Sequence, residues 1–220
     1  MKPIAHIETS FPTKFGVPRQ AGIIDLPARI VFEPEYRVAE AIRGIEGFDY
    51  IWLIWQFHQA HQEKWSPTVR PPRLGGNQRM GVFATRSPFR PNSIGLSSVK
   101  LLSAEQHPTL GPILNISGAD LVDGTPILDI KPYLPYTDSH PDARSGFAIA
   151  PANSLLEVEC NERLLAKIQP HLRQPLLDIL AHDPRPQYQH NPERIYFMPF
   201  EEFEIQFKVE ENLLIVTDIR

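Results

Sequence analysis

Cysteine is almost absent from this chain. The single thiol, Cys160, excludes an intrachain disulfide and a cysteine-rich zinc site. Its context, Glu157-Val-Glu-Cys160, reads as ordinary strand. Long hydrophobic runs are missing too: the longest, residues 50–55, is far too short for the ~20 residues that cross a bilayer. The start, Met-Lys-Pro-Ile-Ala-His-Ile-Glu, has no apolar signal core, so a cytoplasmic protein is expected. No Gly-x-Gly-x-x-Gly follows a strand and there is no P-loop. Helices and strands do not alternate regularly in the first two thirds, so a Rossmann cofactor site is not expected. No Gly-x-Ser-x-Gly appears, and Cys160 lacks an activating neighbour in sequence, which leaves nucleophilic catalysis little support. His58 and His61 form His-x-x-His without the glutamate or third ligand of a zinc motif; no metal is expected.

Acidic residues are missing from one long stretch. The net charge is −4, yet residues 64–100 contain no Asp or Glu and hold Lys64, Arg70, Arg73, Arg79, Arg86, Arg90 and Lys100. A local basic patch on an acidic protein can bind phosphate, or can pair with acids elsewhere in the fold. Proline is in excess: 23 of 220 residues, about twice the usual ~5%. The prolines are scattered, which points to short strands and loops rather than a helix bundle.

Strands are expected at residues 3–9, 28–32, 50–57, 81–85, 95–102, 113–117, 127–131, 203–209 and 213–217, with that at 50–57 buried on both faces. Helical spacing of apolar residues covers 36–45, and further helices are expected from Asn161 and over 176–181. Residues 62–79 form a long, stiff, basic excursion, of the kind that is usually functional or disordered. Residues 84–102 are the most informative part. Arg86 and Arg90 are held between prolines that fix φ and restrict their neighbours, just before an alternating strand. The fold class is mainly β with a small α+β appendage: an antiparallel β-barrel-like, non-Rossmann domain over 1–150 and a small α+β domain over 151–220. Polar residues end the apolar strands at Arg19 and Gln20, His58 and Gln59, Arg86, and residues 123–125. If the strands close into a barrel these can meet at one rim, the usual place for a small-molecule site; otherwise they cap different ends.

Six segments in order carry a resemblance. They are Phe15-Gly-Val-Pro-Arg-Gln20, residues 52–59 ending in Phe-His-Gln, Thr68-Val-Arg-Pro-Pro-Arg-Leu-Gly-Gly-Asn77, residues 80–96, Asp120-Leu-Val-Asp-Gly-Thr-Pro126 with Asp129-Ile-Lys-Pro-Tyr-Leu-Pro135, and Asp183-Pro-Arg-Pro-Gln-Tyr188. On these the chain resembles the TsaA-like proteins, the tRNA methyltransferase O family, over nearly its whole length. Ser93 departs from the proline more usual there and should loosen that loop slightly. The resemblance implies a β-barrel methyltransferase that uses S-adenosyl-L-methionine to methylate N6 of threonylcarbamoyladenosine beside the tRNA anticodon, as a homodimer; no membrane partner is expected from the short apolar runs. It implies that Pro18, Arg19, Gln20, His58, Gln59, Arg86, Leu96, Leu121, Val122, Asp123, Gly124 and Thr125 surround the cofactor. Asp123 either accepts from the ribose hydroxyls or the methionine amino group, or is simply a turn residue. His58 and Asp129 are candidate general bases. One of Arg70, Arg73 and Arg90 is expected to clamp the threonyl carboxylate, because a guanidinium reads a carboxylate bidentately. Arg185 and Tyr188 are expected to meet the anticodon loop. A binding barrel without turnover and a small-molecule methyltransferase remain the alternatives.

Overall fold

The computed structural model describes residues 1–60, 64–148, 155–185 and 191–220, apart from the side chain of Arg73. In chain order the first strands are β1 (Ala5–Glu8), β2 (Pro27–Phe32), β3 (Tyr50–Gln56), β4 (Thr68–Val69), β5 (Met80–Gly81), β6 (Ile94–His107), β7 (Gly111–Ser117) and β8 (Pro126–Pro132). Six of them close into an antiparallel barrel in the order β1-β2-β7-β6-β3-β8, while β4 and β5 pair separately. Closure removes both sheet edges.

Alternation builds the barrel. On β3, Ile51, Leu53 and Trp55 are buried, and Trp52, Ile54 and Gln56 between them are only partly so. One face therefore fills the barrel and the other looks outward, in contrast to the expected strand buried on both faces. On β6 the inward row is Gly95, Ser97, Val99 and Leu101. This strand runs on to His107, further than its apolar pattern suggests, because it pairs with β7 as a hairpin closed at Gly111. The segment expected as a helix over 36–45 is instead a series of 3₁₀ turns, Pro34–Tyr36, Ala39–Ile42 and Ile45–Gly47. Gly44 at φ 86° breaks the run in the left-handed region open to glycine. Tyr36, Ile42 and Ile45 pack against the barrel core and cover the end of the barrel where β3 begins. The strand expected over 81–85 shortens to Met80–Gly81 and a 3₁₀ turn at Val82–Ala84.

The remaining elements are α1 (Pro135–Asp138), β9 (Glu157–Glu159), α2 (Glu162–Leu165), α3 (Pro170–Ala181), β10 (Tyr196–Phe200), β11 (Phe203–Glu210) and β12 (Leu213–Ile219). Strands β10, β11 and β12 form an antiparallel meander, and β9 adds in parallel to β12. Asn161 caps α2 by accepting from the Arg163 N–H at 2.8 Å. The helix α3 starts earlier than expected. Pro170 takes its first turn, where a missing N–H costs nothing, and Pro175 lies inside it among Leu172, Leu176, Ile179 and Leu180 on the buried stripe.

Two buried clusters result. One fills the barrel. The other lies between α3 and the C-terminal sheet and takes in Phe11, Ile24 and Leu26 from the long connection between β1 and β2. Phe11 meets Phe200 edge-on at 6.3 Å, and Phe15 stacks with Phe207 at 6.4 Å. Gly16, at φ 96°, lies so close that a Cβ there would sit 2.7 Å from the Met198 Sδ. Each large apolar side chain buried this way contributes roughly 1.5–3 kcal/mol, so this connection is anchored in the C-terminal core while both its ends belong to the barrel.

Candidate active site

The strand directions bring the polar segments to one end of the barrel. Pairing of Trp55 with Ile127 and Gly95 places the end of β3 beside the starts of β8 and β6. His6 pairs with Pro126, and Pro27 with Ser117, so the end of β1, the start of β2 and the end of β7 lie there too. This rim is formed by the β1–β2 connection with Pro18, Arg19 and Gln20, by His58 and Gln59 after β3, by Arg86 before β6, and by residues 118–125 between β7 and β8.

Contacts tie these segments together. The Arg86 Nη1 donates to the Gln20 Oε1. Lys14 donates to the Gln59 carbonyl at 2.8 Å, and the Phe57 N–H donates to the Ser93 carbonyl at 2.8 Å. Arg19 reaches the C-terminal part of the chain, donating through Nη2 to the Asp183 carbonyl at 3.2 Å. Asp183 is itself gripped by Arg185, through Nε at 2.8 Å and Nη2 at 2.9 Å. Asp183 has φ 51°, a conformation to which Asp is better suited than most residues.

Residues 121–125 form a tight turn. Leu121 and Thr125 are buried, Thr125 Oγ1 donates to the Val122 carbonyl at 2.6 Å, and Gly124 has φ 71°. The exposed Asp123 accepts the Thr9 N–H at 2.9 Å through Oδ1, while its own N–H donates to the Phe11 carbonyl at 2.9 Å. One of its oxygens is thus engaged in holding the turn.

Leu96 points away from the barrel interior and is 56% exposed. It pairs with Ile54, which pairs with Asp129, so these three form one outward row running from β6 to β8. The Asp129 carboxylate bonds to the Ile130 N–H at 2.9 Å and to Lys131 at 3.2 Å. Arg70 is exposed beyond β4. Arg90 is half-buried and turned onto its own loop, donating to the Thr85 carbonyl at 2.7 Å. Arg185 is buried and committed to Asp183. The Arg73 side chain, His61 and Tyr188 lie outside the described residues. Trp65 and Phe83, both exposed, stack at 6.4 Å within the acid-free segment. Two surface hollows of about 460 Å³ each, one at residues 159–163 and one between Glu8, Arg29 and Glu201, hold none of the residues expected to bind the cofactor.

One group at the rim was not anticipated. Asp120 follows β7 between the buried Ala119 and Leu121. Its Oδ1 accepts from the Ser97 hydroxyl at 2.5 Å, and that hydroxyl accepts from the Trp55 indole N–H at 3.0 Å. Burial pushes the Asp120 carboxyl above its ordinary value; the Ser97 hydroxyl, nearby backbone N–H groups and the charge of Arg86 work against that rise without cancelling it. The sequence did carry a signal, an acid set between apolar neighbours immediately after an almost wholly apolar strand.

Comparison with known proteins agrees with this architecture. Residues 6–139 match the tRNA-methyltransferase O N-terminal domain and residues 153–220 the TrmO C-terminal domain. The chain is 43% identical over 217 residues to the tRNA (adenine(37)-N6)-methyltransferase of Escherichia coli K12, covering 94% of this chain and 92% of that one. It is 47% identical over 170 residues to the protein of the same name from Eikenella corrodens, covering 77% and 95%. A crystal structure of TrmO from Pseudomonas aeruginosa superposes with a TM-score of 0.79 at 35% identity, covering 99% of this chain and 94% of that one. With both domain matches present in order and a relative 43% identical over 94% of the chain, the chain belongs to the tRNA-methyltransferase O family.

Proposed function

We propose that this protein transfers a methyl group from S-adenosylmethionine to N6 of the adenosine at position 37 of tRNA. The observation that carries the reading is the meeting, at one rim of a family-matched barrel, of four chain segments with the residue types the family resemblance assigns to its cofactor. When bound, S-adenosylmethionine supplies a methyl group on a positively charged sulfur. The chain then has to hold the acceptor nitrogen in line and let its proton leave. Positioning of this kind contributes up to ~7–11 kcal/mol in favourable systems, so few side chains need to act chemically.

The finer reading is that the acceptor is threonylcarbamoyladenosine. Its ureido nitrogen has a delocalised lone pair, which favours loss of a proton during transfer, and His58 and Asp129 are the proposed acceptors of that proton. His58 follows β3 directly at the rim, and Asp129 stands in the outward row with Leu96. For the threonyl carboxylate Arg70 is favoured over Arg90, whose Nη1 is occupied by carbonyls of its own loop. The remaining cations of residues 64–100 suit the phosphates of an anticodon loop, and the exposed Trp65–Phe83 stack suits an unstacked base.

Homodimer formation fits the exposure of Leu96 and Phe83, 56% and 74%, near a rim that a single chain leaves open. Among the described residues no helix is long and apolar enough to cross a membrane; with tRNA as substrate, the cytoplasm is the compartment that fits.

The test is methyl transfer from labelled S-adenosylmethionine to tRNA from cells that do or do not make threonylcarbamoyladenosine. Label entering only the modified tRNA supports both reaction and acceptor. Label entering neither, with cofactor still bound, points to a binding module without turnover.

A further inference from the structure

Asp120 is a carboxylate set into the rim with neutral partners. Its Oδ1 faces the Ser97 hydroxyl at 2.5 Å, and Ser97 is fixed from behind by Trp55. The cation whose charge acts on it is Arg86, which helps hold the carboxyl ionised but gives its Nη1 to Gln20. A charge taken partly out of water without an ion pair is costly. Arg86 and Asp120 thus present one positive and one negative group at the same rim, with the charge of one felt by the other and no ion pair joining them. An α-amino acid carries the complementary arrangement, an ammonium and a carboxylate on one carbon.

We propose that Arg86 and Asp120 together read the zwitterionic α-amino-acid end of the cofactor, Arg86 taking its carboxylate and Asp120 its ammonium. This rests on the S-adenosylmethionine reading above and adds a residue to it. The ammonium, not the sulfonium, is the better partner for Asp120. Its charge is unchanged as the methyl leaves, whereas a carboxylate against the sulfonium would stabilise a charge that diminishes in the transition state and would slow transfer. The role also passes from Asp123 to Asp120. Asp123 is exposed and one of its oxygens holds the Thr9 N–H, while Asp120 is the group whose burial calls for a cation.

The test compares two neutral-sulfur nucleosides on the full chain by titration calorimetry. S-adenosylhomocysteine keeps the amino-acid end; 5′-methylthioadenosine lacks it. For Asp120→Asn, checked for folding by thermal melting, affinity for S-adenosylhomocysteine should fall roughly 10–100-fold, the range of a charge-assisted hydrogen bond, while affinity for 5′-methylthioadenosine stays within twofold. Equal losses for both would mean that Asp120 only shapes the rim, and no loss for either would mean that it meets no ligand; each overturns the proposal. Asp120→Ser, smaller and also neutral, is held to the same outcomes should the asparagine variant not fold. Wild-type chain that binds neither nucleoside would overturn the cofactor reading, and the zwitterion clamp with it.

Discussion

Gly95 lies directly under the indole of Trp55: a Cβ built on Gly95 would come within 2.2 Å of the ring. The two residues are register partners on β6 and β3 and both point into the barrel. The indole occupies the place of the missing side chain, and from there its N–H reaches Ser97.

Gly95→Ala therefore has to move the ring. Overpacking of a filled core costs about 1–3 kcal/mol, and the moved indole would loosen the Ser97–Asp120 link with it. Denaturant unfolding should show a lower midpoint at an unchanged m-value, and Trp fluorescence should shift to longer wavelength. A variant as stable as wild type, with an unshifted spectrum, would refute the packing argument.

Asp120 sets the pH dependence of stability in a defined direction. Its carboxyl titrates above the ordinary 3.8 because burial opposes the charge. A carboxyl raised in this way contributes stability that is fully present below the unfolded value and is lost as pH rises through the folded value. Asp120→Asn keeps what the wild type gives up. Its melting temperature should gain on wild type as the pH is raised from acid to neutral, by about 2–4 °C for each kcal/mol. A difference that stays constant across that range would count against the assignment.

Arg185 and Asp183 form a forked pair that carries the carbonyl to which Arg19 bonds. Arg185→Met keeps most of the apolar stem and removes the charge. Loss of hydrogen bonds to a charged group costs about 1.5–3 kcal/mol. The freed Asp183 no longer holds its left-handed turn against Arg19, so cofactor affinity should fall along with stability. Unchanged affinity in the folded variant would show that Arg19 is aimed without help from the C-terminal domain.

The acid-free segment makes a prediction about salt. If the exposed Lys64 neutralises one phosphate, Lys64→Gln should reduce the slope of log affinity for tRNA against log salt by about 0.7–0.9. Wild-type slope in the variant would move Lys64 off the RNA.

Much of the barrel was legible: β1 and β6 alternate, residues 50–57 are aromatic and β-branched, and the expected strands begin within two residues of β2, β3, β6, β7 and β8. The polar residues that end them were legible too, but not the closure that gathers them at one rim. What could not be read was set by tertiary contact. The spacing of Val38, Ala41, Ile42 and Ile45 is helical, yet Gly44 turns left-handed and the apolar side chains that pack, Ile42 and Ile45, do so across a barrel end rather than along a helix face. The N-terminal half of α3 was missed because Pro175 reads as a helix start, while the helix accommodates it among buried leucines. Strand β10 was not expected because it contains Pro199, whereas β9, three residues beside β12, lies where residues 157–160 read as strand. Asp120 was quoted within a motif but given no role, since its importance comes from Ser97 and Trp55, which precede it by more than twenty residues.

The anchoring of the β1–β2 connection bears on how the molecule is made. All six barrel strands have been synthesised by residue 132, yet the rim residues Pro18, Arg19 and Gln20 hang between Phe11 and Ile24, whose pockets are built from α3 and from β10 to β12. On the ribosome a closed barrel can form early while this stretch stays unseated. The rim acquires its final shape only when the last strands emerge, so a chain stalled in its final quarter would carry the cylinder without a finished mouth.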